Sequence, residues 1–68
     1  MTITANGKPR EIPDGITIRA FLDTLGWKPG WVVVEHNGEP LDRARYDAVA
    51  LRDGDRIEVV RAVAGGAR

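Results

Sequence analysis

The stretch "TIRAFLDTLG" carries the chain's clearest helical pattern, and no second stretch of comparable strength follows it. Ile18, Phe21, Leu22 and Leu25 recur at i, i+3, i+4 and i+7, which places them on one stripe of an α-helix. Thr17 precedes the stripe as an N-cap and Gly26 follows it as the C′ residue. Arg19, Asp23 and Thr24 fall on the side that faces water. One helix can cover one face of one sheet. The rest of the chain must supply that sheet.

Residues 1–5 alternate apolar and polar, the period of a half-buried strand. Asn6-Gly7 tolerates the positive φ of a type I′ turn and sends the chain back through residues 8–12. Pro9 has no N–H to give, so this return strand suits a sheet edge. Pro13-Asp14-Gly15 breaks the chain before the helix, and residues 27–30 form a loop after it, with Pro29 forbidding helix continuation. "WVVVEHNG" is a β-branched run closed by Asn37-Gly38, so residues 31–36 are expected to be a central strand. Residues 39–48 show a weak pattern, read as turns with a short helical turn over residues 43–46. "AVAL" is read as a brief strand, Asp53-Gly54-Asp55 as a tight turn, and residues 56–63 as the last strand.

Strands on both sides of a single helix define an α+β chain with a mixed sheet of four to five strands. The first and last strands can lie adjacent and parallel, because the long connection between them includes the helix. That arrangement is the β-grasp fold of ubiquitin. Residues 1–63 are expected to form one domain and residues 64–68 a flexible tail. The helix stripe should pack beside Ile3, Ile57 and Val59. The opposite sheet face is then left for a partner, at Val33, Val60, Ala62 and Val63.

Chemistry internal to the domain is poorly supported. The 68 residues contain no cysteine and no serine, which removes the thiol and the commonest hydroxyl nucleophile. A single histidine, His36, forms no multi-histidine metal site, so no metal site is expected. It adjoins Glu35, but neighbours on a strand point to opposite faces, and His36 is read as an ordinary sheet-face or surface histidine. Asp53 and Asp55 flank Gly54 and are read as turn-formers rather than paired catalytic carboxylates. Trp27 and Trp31 are expected to cap the helix–sheet core beside Pro29. Ten basic and ten acidic residues cancel, leaving no basic footprint for nucleic acid. No apolar run approaches the roughly 20 residues of a membrane span, and no leader pattern is evident, so a soluble cytoplasmic protein is expected. The glycines form neither GxGxxG nor a Walker A motif, and no cofactor is expected on the chain itself. An autonomous enzyme is not the expectation.

The tail, "VAGGAR", is the remaining candidate. Four residues, 63–66, can extend roughly 13 Å from the end of a pinned strand. Gly65 and Gly66 have no side chains, so they can pass a narrow channel and bring the Gly66 α-carboxylate into another protein's active site.

Together these stretches resemble the small sulfur-carrier proteins of thiamine biosynthesis, the ThiS family. The resemblance rests on the Asn6-Gly7 hairpin, "TIRAFLDTLG", "VVVEHNGEPL" and above all "LRDGDRIEVVRAVAGG", and covers residues 1–66. It implies a β-grasp protein cosubstrate with no catalytic residues of its own. A ThiF-like adenylating enzyme, using ATP and magnesium, would convert the Gly66 carboxylate to an acyl-adenylate. A sulfur donor system drawing on cysteine would replace AMP and leave a thiocarboxylate. A ThiG-like thiazole synthase would take that sulfur into the thiazole ring. Ala64 and Gly65 would thread the tail into these partners, and Val33, Val60, Ala62 and Val63 would dock the domain.

One feature departs from the family pattern. Ala67-Arg68 follows Gly66 and ties its carbonyl into an amide, so removal by a processing peptidase is expected before activation. Carriers with the same chemistry but another acceptor (molybdopterin, cysteine, methionine or thiolated tRNA) remain alternatives, as does a ubiquitin-like protein modifier. A non-covalent β-grasp interaction module is the alternative of a different class.

Overall fold

The alternating N-terminal segment forms strand β1, Thr2–Ala5, and the Asn6-Gly7 turn returns it antiparallel into β2, Lys8–Glu11. Both turn residues have positive φ, 52° at Asn6 and 82° at Gly7, as a type I′ hairpin requires. The same chemistry closes the second hairpin. Asn37 (φ 52°) and Gly38 (φ 88°) join β3, Val32–His36, to β4, Glu39–Leu41. Strand β5, Arg56–Arg61, runs parallel to β1 and antiparallel to β3. The computed structural model describes residues 1–61, so residues 62 and 63 of the expected last strand lie outside the described residues.

The sheet is five-stranded and mixed, with order β2-β1-β5-β3-β4. Pro9 lies on the edge strand β2, where its missing N–H breaks no interior ladder. β4 was not foreshadowed by any periodicity in residues 39–48. It is three residues long, contains Pro40, and is a strand because register with β3 pairs it, on the other edge.

The helix, α1, spans Ile18–Thr24. Its four N-terminal N–H groups all find acceptors. Ile18 N–H donates to Val49 O at 3.0 Å, Arg19 to Tyr46 O at 3.0 Å, Ala20 to Thr17 Oγ1 at 3.1 Å and Phe21 to Thr17 O at 2.9 Å. At the other end Gly26, at φ 76°, allows its own N–H to reach Asp23 O (3.0 Å) and that of Trp27 to reach Leu22 O (3.1 Å). This is a Schellman closure, and it needs the left-handed conformation that glycine adopts without steric cost.

These capping bonds explain why "AVAL" is not a strand. Ala50 makes one isolated bridge to Thr17, and Leu51 N–H donates to Ile16 O at 2.8 Å. The segment's backbone bonds go to the preceding turn, where the Ala48 and Val49 N–H groups donate to Arg45 O, and to Ile16 and Ile18 at the start of the helix, so they do not pair along a sheet edge. The helical turn expected over residues 43–46 is a 3₁₀ turn at Arg43–Arg45. Immediately after it, Tyr46 is only 3% exposed and, with Leu51, fills the core from a segment whose pattern shows neither a 2 nor a 3.6 period.

The core lies between α1 and one sheet face. Ile18, Phe21 and Leu22 are buried against Ile3, Val32, Val34, Ile57 and Val59, as the stripe predicts, with Leu25 partly buried at the margin. Trp27 packs partly buried beside this core. Trp31 does not. Pro29 opens a 3₁₀ turn, Pro29–Trp31, which leaves the Trp31 side chain 54% exposed with the Lys28 ammonium 5.7 Å from its ring centre. The expectation that both tryptophans cap the core is corrected for Trp31, and β3 accordingly begins at Val32.

Replacing the fully buried Leu22 by Ala should cost about 2–5 kcal/mol in urea titration, the range for a truncated core leucine. A loss below about 1 kcal/mol would mean that the helix face is not the keystone of the core.

Candidate functional site

The end of β5 is the part of the described structure from which residues 62–68 continue. How firmly that end is held follows from the two hairpin asparagines. Asn6 Nδ2 donates to Val59 O at 3.1 Å, and Asn6 Oδ1 accepts the Val59 N–H at 2.7 Å. Its side chain thereby substitutes for a further β1 residue and continues the parallel ladder past Ala5. Asn37 Oδ1 accepts the Arg56 N–H at 2.8 Å, while Asn37 N–H donates to Arg56 O at 2.8 Å. β5 is thus clamped near both ends as well as along both edges.

A second cluster ties the start of β5 to the β3–β4 turn. His36 Nε2 lies 2.8 Å from Asp55 Oδ2, which also accepts the Arg52 backbone N–H at 2.9 Å. Asn37 Nδ2 donates to Asp55 Oδ1 at 3.2 Å. The reading of Asp55 as a turn-former holds, since it bonds the local Arg52 N–H, whereas Asp53 Oδ1 accepts from the distant Thr2 N–H at 2.9 Å. His36, read as an ordinary surface or sheet-face histidine, lies on the sheet at the end of β3. It is half-buried and paired, and no local signal could reveal this because its partner is 19 positions away. Burial works against ionisation of Asp55, but the hydrogen bonds from His36, Arg52 and Asn37, with the charge of a protonated His36, outweigh it. The carboxyl is therefore held below its ordinary range.

The sheet face away from the helix is built by strand alternation. Val33 and Glu35 of β3 stand opposite Val60 and Glu58 of β5, in the pairs Val33–Val60 and Glu35–Glu58. Val33 is 46% exposed and Val60 56%, so the two expected docking valines are on the open face and not beneath the helix. With Trp31 they are the exposed large hydrophobic residues among the described residues. Val32, next to Trp31, is the register partner of Arg61, so the exposed apolar residues sit at the same end of the sheet as the exit of the chain. A shallow depression of about 430 Å³ is lined by Val33, Glu35, Gly38, Arg56, Glu58 and Val60. The other expected site residues, Ala62, Val63, Ala64, Gly65 and Gly66, lie outside the described residues.

Among the described residues no group of three or more His, Cys, Asp or Glu side chains is arranged to hold a metal ion. No helix among them is long and apolar enough to cross a membrane.

One helix laid across a five-stranded mixed sheet of order 2-1-5-3-4, with the central strand leading into a double glycine, defines a β-grasp protein of the ubiquitin-like class. The model of the ThiS family matches residues 3–66, and the chain belongs to that family. Its fold superposes on the crystal structure of the thiamine biosynthesis protein (ThiS) from Geobacter metallireducens with a TM-score of 0.81. The two are 35% identical, over 88% of this chain and 91% of that one. The chain is also 41% identical over 66 residues to a thiazole synthase of Magnetococcus marinus, and 36% identical over 66 residues to one of Paramagnetospirillum magneticum. These matches cover 97% of this chain, which spans 20% of the length of each of those two relatives.

Replacing Asp55 by Asn should lower stability at neutral pH by about 1–3 kcal/mol, the cost of weakening a charge-assisted bonded group. A carboxyl whose folded pKa is depressed stabilises above its unfolded value near 4 and loses that contribution as pH falls through the folded value. The stability gap between wild type and variant should therefore close between about pH 5 and pH 2. Urea midpoints that stay parallel across that range would show that the charge of Asp55 contributes nothing.

Proposed function

We propose that the chain is a sulfur carrier of thiamine biosynthesis, working through the α-carboxylate of Gly66. The observation that carries this reading is the placement of β5. The strand that leads into "AVAGG" is the central strand of the sheet, and its last described residue, Arg61, lies five positions before Gly66. Five extended residues reach at most about 17 Å. A well-bonded base with a short end that finishes in two glycines suits delivery of a carboxylate into a deep active site while the domain docks outside. Membership of the ThiS family supports the same reading.

The chemistry belongs to the partners. On a ThiF-like adenylating enzyme, the Gly66 carboxylate oxygen attacks the α-phosphorus of ATP, pyrophosphate leaves with magnesium, and a mixed anhydride with AMP results. The terminal sulfur of a persulfide, drawn from cysteine by a donor system, then attacks the acyl carbon and expels AMP. A thiol cleaves the resulting acyl disulfide, releasing the acyl sulfur and forming a disulfide with the donor. The product is the Gly66 thiocarboxylate. A ThiG-like thiazole synthase is the proposed acceptor, supported by the similarity of this chain to part of two proteins named thiazole synthase. This chain supplies the acyl group, its slender approach through Ala64 and Gly65, and a docking surface at Val33, Val60, Ala62 and Val63. ATP and magnesium are held by the enzyme.

Ala67-Arg68 decides when this chemistry can start. Amide resonance makes the Gly66–Ala67 carbonyl a poor nucleophile toward phosphorus, and it carries no free carboxylate. Cleavage after Gly66 by a peptidase is part of the proposal. Incubated with the adenylating enzyme, ATP, magnesium and a sulfur source, chain ending at Gly66 should form the adenylate and then gain the oxygen-to-sulfur mass difference. Chain continuing through Arg68 should remain unchanged in the mass spectrum. Equal conversion of both would remove the need for processing, and inertness of both would favour a non-covalent interaction module.

A further inference from the structure

The two neighbours of β5 accompany it for unequal lengths. On the β3 side the register runs from His36–Ile57 to Val32–Arg61, the end of the described strand. On the β1 side it stops at Ala5–Ile57, because the chain turns away at Asn6. Up to that point the parallel ladder is regular: Thr4 N–H donates to Asp55 O and Asn6 N–H to Ile57 O, both at 2.9 Å. Its next two bonds would join Val59 N–H to the carbonyl of residue 6 and Val59 O to the N–H of residue 8. The hairpin takes the backbone elsewhere, and the Asn6 side chain supplies both partners instead. Its Oδ1 accepts the Val59 N–H at 2.7 Å and its Nδ2 donates to Val59 O at 3.1 Å. Successive residues of a strand turn their N–H and C=O to opposite edges, so Val60 turns to β3 and Arg61 to the side that β1 has left. Among the described residues, the Asn6 amide therefore gives β5 its last hydrogen bonds from the β1–β2 hairpin. Val59 stands seven positions before Gly66.

Resting on the sulfur-carrier reading, we propose that Asn6 is a positioning residue for the activation of Gly66. It touches no reacting atom and acts through β5. A strand bonded along one edge can swing about that edge. In a tail drawn out through a channel, a swing at the base is passed along the chain to the carboxylate. The carboxylate must meet the α-phosphorus of ATP in line, and a displacement of about 1 Å can cost a hundredfold in rate. Bonds from both edges at Val59 remove that freedom. The residue type answers two demands at once. The turn needs a positive φ, 52° here, which asparagine, aspartate and glycine accept. The strand needs a donor and an acceptor on one short side chain, and of the three only asparagine has both. Asn37 meets the same demands at the other end of β5, where its Oδ1 accepts the Arg56 N–H ten positions before Gly66.

Comparing the two asparagines tests this role. Glycine at either position keeps the turn and deletes the side-chain bonds. In the full 68-residue chain, Asn6→Gly should speed deuterium exchange of the Val59 amide at least about tenfold and leave that of Val60, on the β3 side, slow. In chain ended at Gly66, with the adenylating enzyme, Asn6→Gly should lower kcat for adenylate formation by about ten- to a hundredfold and keep KM within about twofold of wild type. Asn37→Gly should lower the Tm comparably, yet keep kcat within about twofold of wild type. Asn6→Asp retains the acceptor and loses the donor, so its kcat should lie between those of Asn6→Gly and wild type.

A kcat for Asn6→Gly that equals wild type, or that falls no further than that of Asn37→Gly, would overturn the proposal by making the clamp purely structural. A loss confined to KM would overturn it as well, by placing Asn6 in docking. A wild-type chain ended at Gly66 that forms no adenylate would remove the sulfur-carrier reading, and the proposed role of Asn6 with it.

Discussion

Strand β5 is bonded along both edges, and the asparagines of the two hairpin turns extend that bonding to its ends. The parallel contact with β1 is short, with only Thr4–Arg56 and Ala5–Ile57 in register. Asn6 lengthens it by offering both a donor and an acceptor to the backbone of Val59, which a backbone beyond the turn could no longer do. Asn37 does the corresponding service at Arg56 from the other side. The residues that make the type I′ turns possible are therefore also the residues that position the strand between them. With β5 held in this way, Ile57 and Val59 face the helix and Glu58 and Val60 face away.

The helix depends on that sheet more than on itself. At seven residues α1 is too short to persist alone, since nucleation costs more than so few hydrogen bonds return. Its stability comes from burying Ile18, Phe21 and Leu22, and from a loop whose carbonyls at Tyr46 and Val49 accept its first two N–H groups. The same loop contributes Tyr46 and Leu51 to the core. A segment that looks structureless by periodicity is, in the folded chain, the lid on one end of the helix.

The consequence for function is a separation of roles between the two faces. One carries the core and tolerates little change. The other presents the exposed valines Val33 and Val60 and the register-paired glutamates Glu35 and Glu58. Under the proposed role this division is what is needed, because a carrier that serves as a substrate must present a stable body, a recognisable surface and a reactive end.

Features set by adjacent residues could be read without coordinates. The ends of α1 at Thr17 and Gly26, the two Asn-Gly turns, the edge position of Pro9 and the assignment of Val33 and Val60 to the open face all follow from local stereochemistry and from periods of 3.6 and 2. So does the candidacy of Gly65-Gly66, which rests on what glycine lacks. The residues that escaped are those whose state depends on a distant partner. Residues 48–51 have strand-like composition but spend their hydrogen bonds on the preceding turn and on the entry to the helix, and β4 exists only because Leu41, Pro40 and Glu39 come into register with β3. Trp31 is exposed because a 3₁₀ turn rotates it off the core, and His36 acquires Asp55 only when β3 and β5 lie side by side. Glu35 faces Glu58 for the same reason. Periodicity states which face a residue takes within its own strand, but register, fixed by the whole packed sheet, decides what stands opposite it.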